Sequence, residues 1–275
     1  MQHHTELNEI YWSFVPLESH ANYVARNRLD TDLTANVFSA SGADVRRLAR
    51  ELGGWKRDFQ EMENWLRLSL VVAALGYLEV YIKSIAELAL RSCPGILYGK
   101  PRAIEGVNWL KLGIEPDIGK ELESLVKGEW SSRVAAYKRL FSGIPAILEG
   151  AVGPLDELRI LRNGVSHAFG RNVDYTFNSY DGFHPKASRL SESKLKKGLY
   201  VIENVATAMD QQLSTEFIGE YEAIAFYHSW MQIPRRDRIR NNSGTDSFRK
   251  ALTRTFSETY GEGFCDSLIA FYRSA

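Results

Sequence analysis

"LSLVVAALGYLEVYIKSIAELAL", Leu68 to Leu90, is the most apolar stretch of this 275-residue chain, and its reading decides the fold. It carries three charges, Glu79, Lys83 and Glu87, at four-residue steps. A helix that crosses a bilayer needs about 20 consecutive, mostly apolar residues. The charge-free part of this stretch is shorter, so it reads as a buried helix of a soluble bundle and no membrane is expected as a partner. Followed outward, the helix begins at about Trp55 or Glu61 and runs to Arg91, where "SCPG", Ser92 to Gly95, ends it. Upstream, "SGADVRRLARELGG" reads as a weaker helix over Ser41 to Leu52, capped by Ser41 and stopped by Gly53-Gly54.

Helical periodicity dominates the rest of the chain and strand alternation is scarce, so the class is all-α. From Gly95 to Gly119, Pro94, Pro101, Pro116 and several glycines imply loop with short turns. Helical pieces resume at Lys120–Leu125 and Ser131–Phe141. Pro154 then opens "PLDELRILRNGVSHAF" in the first-turn position that proline favours, with Asp156 and Glu157 placed to oppose the helix dipole. Residues from Gly170 to Ser188 form an irregular connection in which a short strand would fit. A long helix, bent near Ser214, covers about Ser191 to Trp230, and two short helices end at Phe271.

The bulk properties set limits on function. Apolar residues make up 44% and charged residues 25%, the balance of a soluble globular protein. Lys plus Arg equals Asp plus Glu at 34 each, so any attraction to nucleic acid must come from local patches. Cys93 and Cys265 form neither a metal-ligand spacing nor a disulfide framework, which fits a cytoplasmic setting. The N-terminus, "MQHHTELNEIYW", lacks the basic start and apolar run of a signal peptide, and its paired histidines suit a solvated end better than a metal site. His184 and His228 have no cysteine or carboxylate at ligand spacing, so no metal or other cofactor is expected. Phosphate-loop, dinucleotide-binding and serine-hydrolase motifs do not occur.

Chemistry concentrates in "LRNGVSHAFGR", Leu161 to Arg171. On a helical wheel Leu158, Leu161, Val165, Ala168 and Phe169 share one stripe, while Arg162, Asn163, Ser166 and His167 fall within roughly 140° on the other side. Gly164 costs about 1 kcal/mol against alanine in a helix interior. It marks either close approach of another backbone or substrate, or a packing detail. An arginine grips phosphate with a planar fork but does not shuttle protons. A histidine titrates near neutrality and serves as general acid or base. Together, without a carboxylate cluster, they suit metal-free cleavage of RNA, in which the 2′-hydroxyl attacks its own phosphodiester and cationic donors stabilise the phosphorane. One histidine supplies one proton transfer and the reaction needs two; a symmetric dimer supplies both.

At Arg162, Asn163 and His167 the sequence resembles the HEPN superfamily of α-helical ribonucleases and nucleotide-binding domains, whose signature is Arg, four to six residues, then His, often with Asn directly after the Arg. Of the six histidines, only His167 has an arginine at that distance upstream. The family often carries a Glu-x3-Lys-Arg element on an earlier helix. Here Glu79 and Lys83 match, with Ser84 in place of the Arg, although Glu79, Lys83 and Glu87 equally suit an ordinary salt-bridged face. The resemblance covers Trp55 to Leu213. It implies a HEPN-like helical core over 55–213, with an N-terminal extension over 1–54 and a C-terminal helical extension over 214–275. It further implies a homodimer with a composite, metal-independent endoribonuclease site leaving a 2′,3′-cyclic phosphate, in a toxin or antiviral defence effector with an antitoxin or defence-system partner. The alternative is a non-catalytic module that binds nucleotide, RNA or protein. A plain helical interaction protein would instead leave Arg162 and His167 in open solvent.

Beyond the motif, Arg235, Arg236, Arg238 and Arg240 lie in the densest basic run. Met231 to Arg254 holds seven basic residues against two Asp. With Arg171 these arginines are candidate phosphate contacts for RNA; a solvated loop is the other reading. Lys194, Lys196 and Lys197 read as surface charge. Tyr175, Phe177, Tyr180 and Phe183 suit either base stacking or packing.

Overall fold

The computed structural model describes residues 2–100, 104–168, 188–233 and 244–275, without the side chains of residues 2–4, 167, 168 and 244. Among these the chain is all-α, and the one extended pairing is an isolated antiparallel bridge between Leu33 and Glu51. The helices are α1 (Gln2–Ala25), α2 (Thr34–Val37), α3 (Leu52–Ser92), α4 (Gly106–Leu112), α5 (Gly119–Val126) and α6 (Trp130–Phe141). They continue with α7 (Ala146–Gly150), α8 (Val152–Ala168), α9 (Glu192–Leu213), α10 (Tyr221–Gln232), α11 (Gly244–Phe256) and α12 (Glu262–Ser274).

The Leu68–Leu90 stretch lies inside α3, a single helix of 41 residues. Leu68, Val71, Leu75, Leu78, Ile82 and Ala86 recur at three- and four-residue steps and are all buried. By length and composition alone α3 would also qualify to cross a membrane. Its start differs from the sequence reading: Gly53 and Gly54 do not stop an earlier helix but form the first turn of α3. The Leu52 and Gly53 amides donate to the Asp32 and Asp30 carbonyl oxygens (2.9 Å each), which satisfies donors that a helix start leaves open. A Cβ on Gly53 would stand 3.0 Å from the Asp30 Cβ, so the glycine lets the incoming chain pack flush on the helix. The expected helix over Ser41–Leu52 shrinks to a 3-10 turn, Ala43–Arg47. At the other end Pro94 opens a second 3-10 turn, Pro94–Tyr98, because it cannot continue the helical hydrogen-bond ladder.

The chain divides into two compact units, Met1–Tyr81 with Gly150–Ala206, and Ile82–Glu149 with Thr207–Ala275; the divisions fall inside α3 and α9. In the first unit, α1 is a helix that the sequence reading did not include. Tyr11 is buried, and the Phe14 ring lies 6.5 Å from that of Phe59 on α3. The Lys196 ammonium on α9 sits 4.7 Å from the Trp12 ring centre. α8 packs on α9 where Gly198 admits Leu158; a Cβ there would stand 3.0 Å from the leucine methyl. α8 starts at Val152, two residues before Pro154, so Asp156 and Glu157 fall beyond its first turn, and Asp156 accepts from Arg159 at 2.7 Å.

In the second unit, the bend expected near Ser214 is a π-helical turn, Ser214–Ile218, released by Gly219 at φ +49°. Tyr137 on α6 donates to Gln212 at 2.9 Å, and burial pushes its phenol well above the ordinary tyrosine range. An aromatic cluster joins α10 to α11 and α12 through Tyr227, Phe248 and Tyr272, and His228 Nδ1 shares a 2.6 Å hydrogen bond with the Tyr272 hydroxyl.

Candidate active site

The motif helix α8 separates its faces as a core helix should. Leu155, Leu158 and Val165 are buried, and Leu161 is half-buried. On the opposite side Gly153, Glu157, Ile160 and Gly164 form an exposed stripe at helical spacing. Residue 167 continues the helix in the register of that stripe, one turn past Gly164. Apart from the local helix backbone and the two chain neighbours, no described atom stands within 4 Å of where a Gly164 Cβ would lie. Close approach by another part of this chain therefore does not account for the glycine among the described residues.

Arg162 lies between the two faces. Its wheel position is only about 40° from Leu158, at the seam between core and solvent. There it meets Glu79 of α3. The Nη1 and Nη2 groups donate to Oε2 and Oε1 of Glu79 at 3.3 and 3.2 Å, an end-on fork with both side chains largely covered, 23% and 21% exposed. Such a pair is stronger and more directional than one lysine–carboxylate contact. Arg162 Nε is buried and has no hydrogen-bond partner among the described residues. That leftover donor carries a cost on the order of 1–3 kcal/mol. The pair is thus a geometric constraint on Arg162 more than a simple gain in stability.

The other sequence-selected residues fall into three groups. Asn163 is exposed beside Arg162. Lys83 is exposed on α3, one turn past Glu79, and makes no ion pair among the described residues. The salt-bridged ladder Glu79–Lys83–Glu87 is not what forms: Glu79 turns to Arg162, and Glu87 accepts from Arg91 at 2.9 Å. The His167 side chain and Arg171, Arg235, Arg236, Arg238 and Arg240 lie outside the described residues, as do Tyr175, Phe177, Tyr180 and Phe183. Of the three lysines, Lys196 pairs with Glu192 at 2.7 Å.

A residue the sequence reading passed over holds the chain where it returns to α3. Asn64 is 3% exposed; its amide nitrogen donates to the Ser188 carbonyl and its oxygen accepts from the Leu190 amide, both at 2.9 Å. Arg67 Nε donates to the Leu190 carbonyl at 2.8 Å, and Arg189 pairs with Glu61 at the surface. The signal was in the sequence: Asn64 stands four residues before Leu68, in register with the buried stripe, and a buried amide must find partners. Residues 188–190, just before α9, are thereby pinned to the same helix that holds Arg162.

Comparisons with family models, with curated proteins and with solved structures give no match to this chain.

Proposed function

We propose that the protein is a HEPN-like, metal-independent endoribonuclease that works as a homodimer in the cytoplasm. The observation that carries the reading is the fork between Arg162 and Glu79. Two residues selected from different helices by the resemblance meet in one directional contact, and Arg162 is held at a seam rather than loose in solvent. In the reaction, His167 takes the proton of the RNA 2′-hydroxyl as its oxygen bonds to the adjacent phosphorus. The P–O5′ bond breaks, and His167 of the second copy protonates the leaving oxygen. The products are a 2′,3′-cyclic phosphate and a 5′-hydroxyl. Arg162 stabilises charge on the phosphorane, Asn163 orients His167 or contacts phosphate, and Glu79 with Lys83 orders the site. Arg171, Arg235, Arg236, Arg238 and Arg240 bind the RNA backbone. A toxin or antiviral defence effector, held by an antitoxin or other defence-system partner, is the setting this chemistry suits.

A second reading has its own support. An arginine whose fork is already taken by a carboxylate offers little net charge to a phosphate, and Ser84 stands where the family often has Arg. Both fit a non-catalytic module that binds nucleotide, RNA or protein through the same face. The test is cleavage of a single-stranded RNA in EDTA by the wild type and by His167→Ala. The nuclease reading expects cyclic-phosphate ends from the wild type and none from the variant, with helicity and dimerisation unchanged. Equal cleavage by both sinks the mechanism; RNA binding by both without cleavage selects the second reading.

A further inference from the structure

The second unit contains a cavity of about 710 Å³ that the proposed ribonuclease chemistry does not use. It opens where the end of α3, the start of α4, the π-helical turn, α10 and α12 come together. That volume lies within the range of small-molecule sites. Its walls include Val107, Ile218, Tyr221, Ile224 and Leu268, all buried. Local contacts fix the walls in place. Ser92 Oγ donates to the Ile218 carbonyl and Cys93 Sγ to that of Phe217, both at 3.3 Å, which ties the end of α3 to the π turn. A Cβ on Gly106 would overlap the Arg91 carbonyl oxygen, so α4 starts flush against the end of α3. The cavity is pre-formed rather than a gap between mobile loops.

Its charge is one-sided. Glu105 and Glu220 line it, both are exposed and so belong to its rim, and no Lys or Arg is among the described lining residues. Neither carboxylate makes an ion pair among the described residues. Among the described residues, Arg91 pairs with Glu87 and Glu115, and Lys111 donates to the Tyr272 carbonyl. An apolar chamber under two carboxylates without an ion pair among the described residues is complementary to a molecule with an apolar or aromatic body and a positively charged end. We infer that this cavity is a binding site for an amphipathic organic cation, with the apolar body among Val107, Ile218, Ile224 and Leu268 and the ammonium end at Glu105 and Glu220.

The probe is dansylcadaverine, an environment-sensitive aromatic carrying one primary ammonium, compared with its N-acetylated, uncharged form on the full chain. Saturable fluorescence enhancement is expected for both, with the cation bound about fivefold more tightly, the factor that two exposed charge contacts supply. The double variant Glu105→Gln/Glu220→Gln should bring the two affinities within twofold and leave the acetylated form unchanged. Ile224→Trp should weaken both at least tenfold. If that variant does not fold, Cys93 gives the location in the wild type: it lines the cavity, Cys265 is fully buried, and bound probe should slow Cys93 alkylation by iodoacetamide. Absence of saturable binding, equal affinity of the two forms for the wild type, or unprotected Cys93 each overturns the inference.

Discussion

Replacing Gly164 by alanine tests both the geometry of α8 and the assembly proposed for it. Glycine in a helix interior is less favourable than alanine by about 1 kcal/mol, because its backbone loses more freedom on folding. Apart from the local helix backbone and the two chain neighbours, the new methyl group meets no described atom within 4 Å, so no clash offsets that gain. Gly164→Ala should therefore stabilise the isolated chain by about 0.5–1 kcal/mol. For a chain of this size that raises the melting temperature by about 1–2 °C. The measurement is thermal unfolding by far-UV circular dichroism at a concentration where sedimentation shows monomer. A lower melting temperature there would mean that position 164 is not open within the chain, and the separation of faces along α8 would fail.

The same substitution reads differently if a second copy covers the stripe. Ile160, at 64% exposure, sits between Glu157 and Gly164 on that stripe, an apolar side chain next to a position without one. A partner backbone resting on position 164 would be pushed away by the methyl group. Sedimentation velocity across a concentration series should then show dimer dissociation strengthened by tenfold or more, with the monomer still stabilised. Unchanged dimerisation would place the interface away from this stripe and remove the route by which two copies of residue 167 approach each other.

Two further outcomes follow from the first unit. In a double-mutant cycle of Glu79→Gln and Arg162→Met, read by urea unfolding, the coupling should be about 1–2 kcal/mol. That lies above exposed pairs and below the cost of breaking a fully buried one; a coupling under about 0.5 kcal/mol would make the fork incidental. Asn64→Ala should cost about 2–3 kcal/mol in the same assay, since it strips partners from two backbone groups at a buried site. Arg189→Ala, whose ion pair with Glu61 is 61% and 55% exposed, should stay within about 0.5 kcal/mol of wild type. Equal effects at the two positions would contradict the assignment of Asn64 as the anchor.

What the sequence made legible follows physical lines. The apolar periodicity of Leu68–Leu90 and the buried stripe of α8 were readable because burial imposes a 3.6-residue repeat that no other element shares. Proline and the bend near Ser214 were readable because they change the backbone directly. Gly53-Gly54 misled because a glycine pair signals a stop only when nothing packs on it, and here Asp30 does. α1 was missed because its polar residues lie on several sides of the wheel, with Ile10, Leu17 and Tyr23 exposed and Tyr11 buried. The interleaving of the two units was not legible at all, because each is assembled from segments distant in the chain. For the site, the wheel placed Arg162 on the polar face when it lies at the seam. Only 40° separates it from Leu158, and a side chain that long reaches whichever partner is available.

That partner matters for any chemistry with phosphate. Glu79 takes one donor from each Nη of Arg162, and Nε is buried, so the guanidinium presents itself to an incoming anion as half of a neutral pair. Binding phosphate then requires an exchange, one bidentate charge-assisted contact for another, rather than the filling of an unused fork. Lys83, exposed one turn along α3, makes no ion pair among the described residues. Glu79 is in this view a holder that fixes where Arg162 waits. The Glu-x3-Lys spacing, which an ordinary salt-bridged helix face would equally satisfy, is divided here: its glutamate is bonded to another helix, and its lysine makes no ion pair among the described residues.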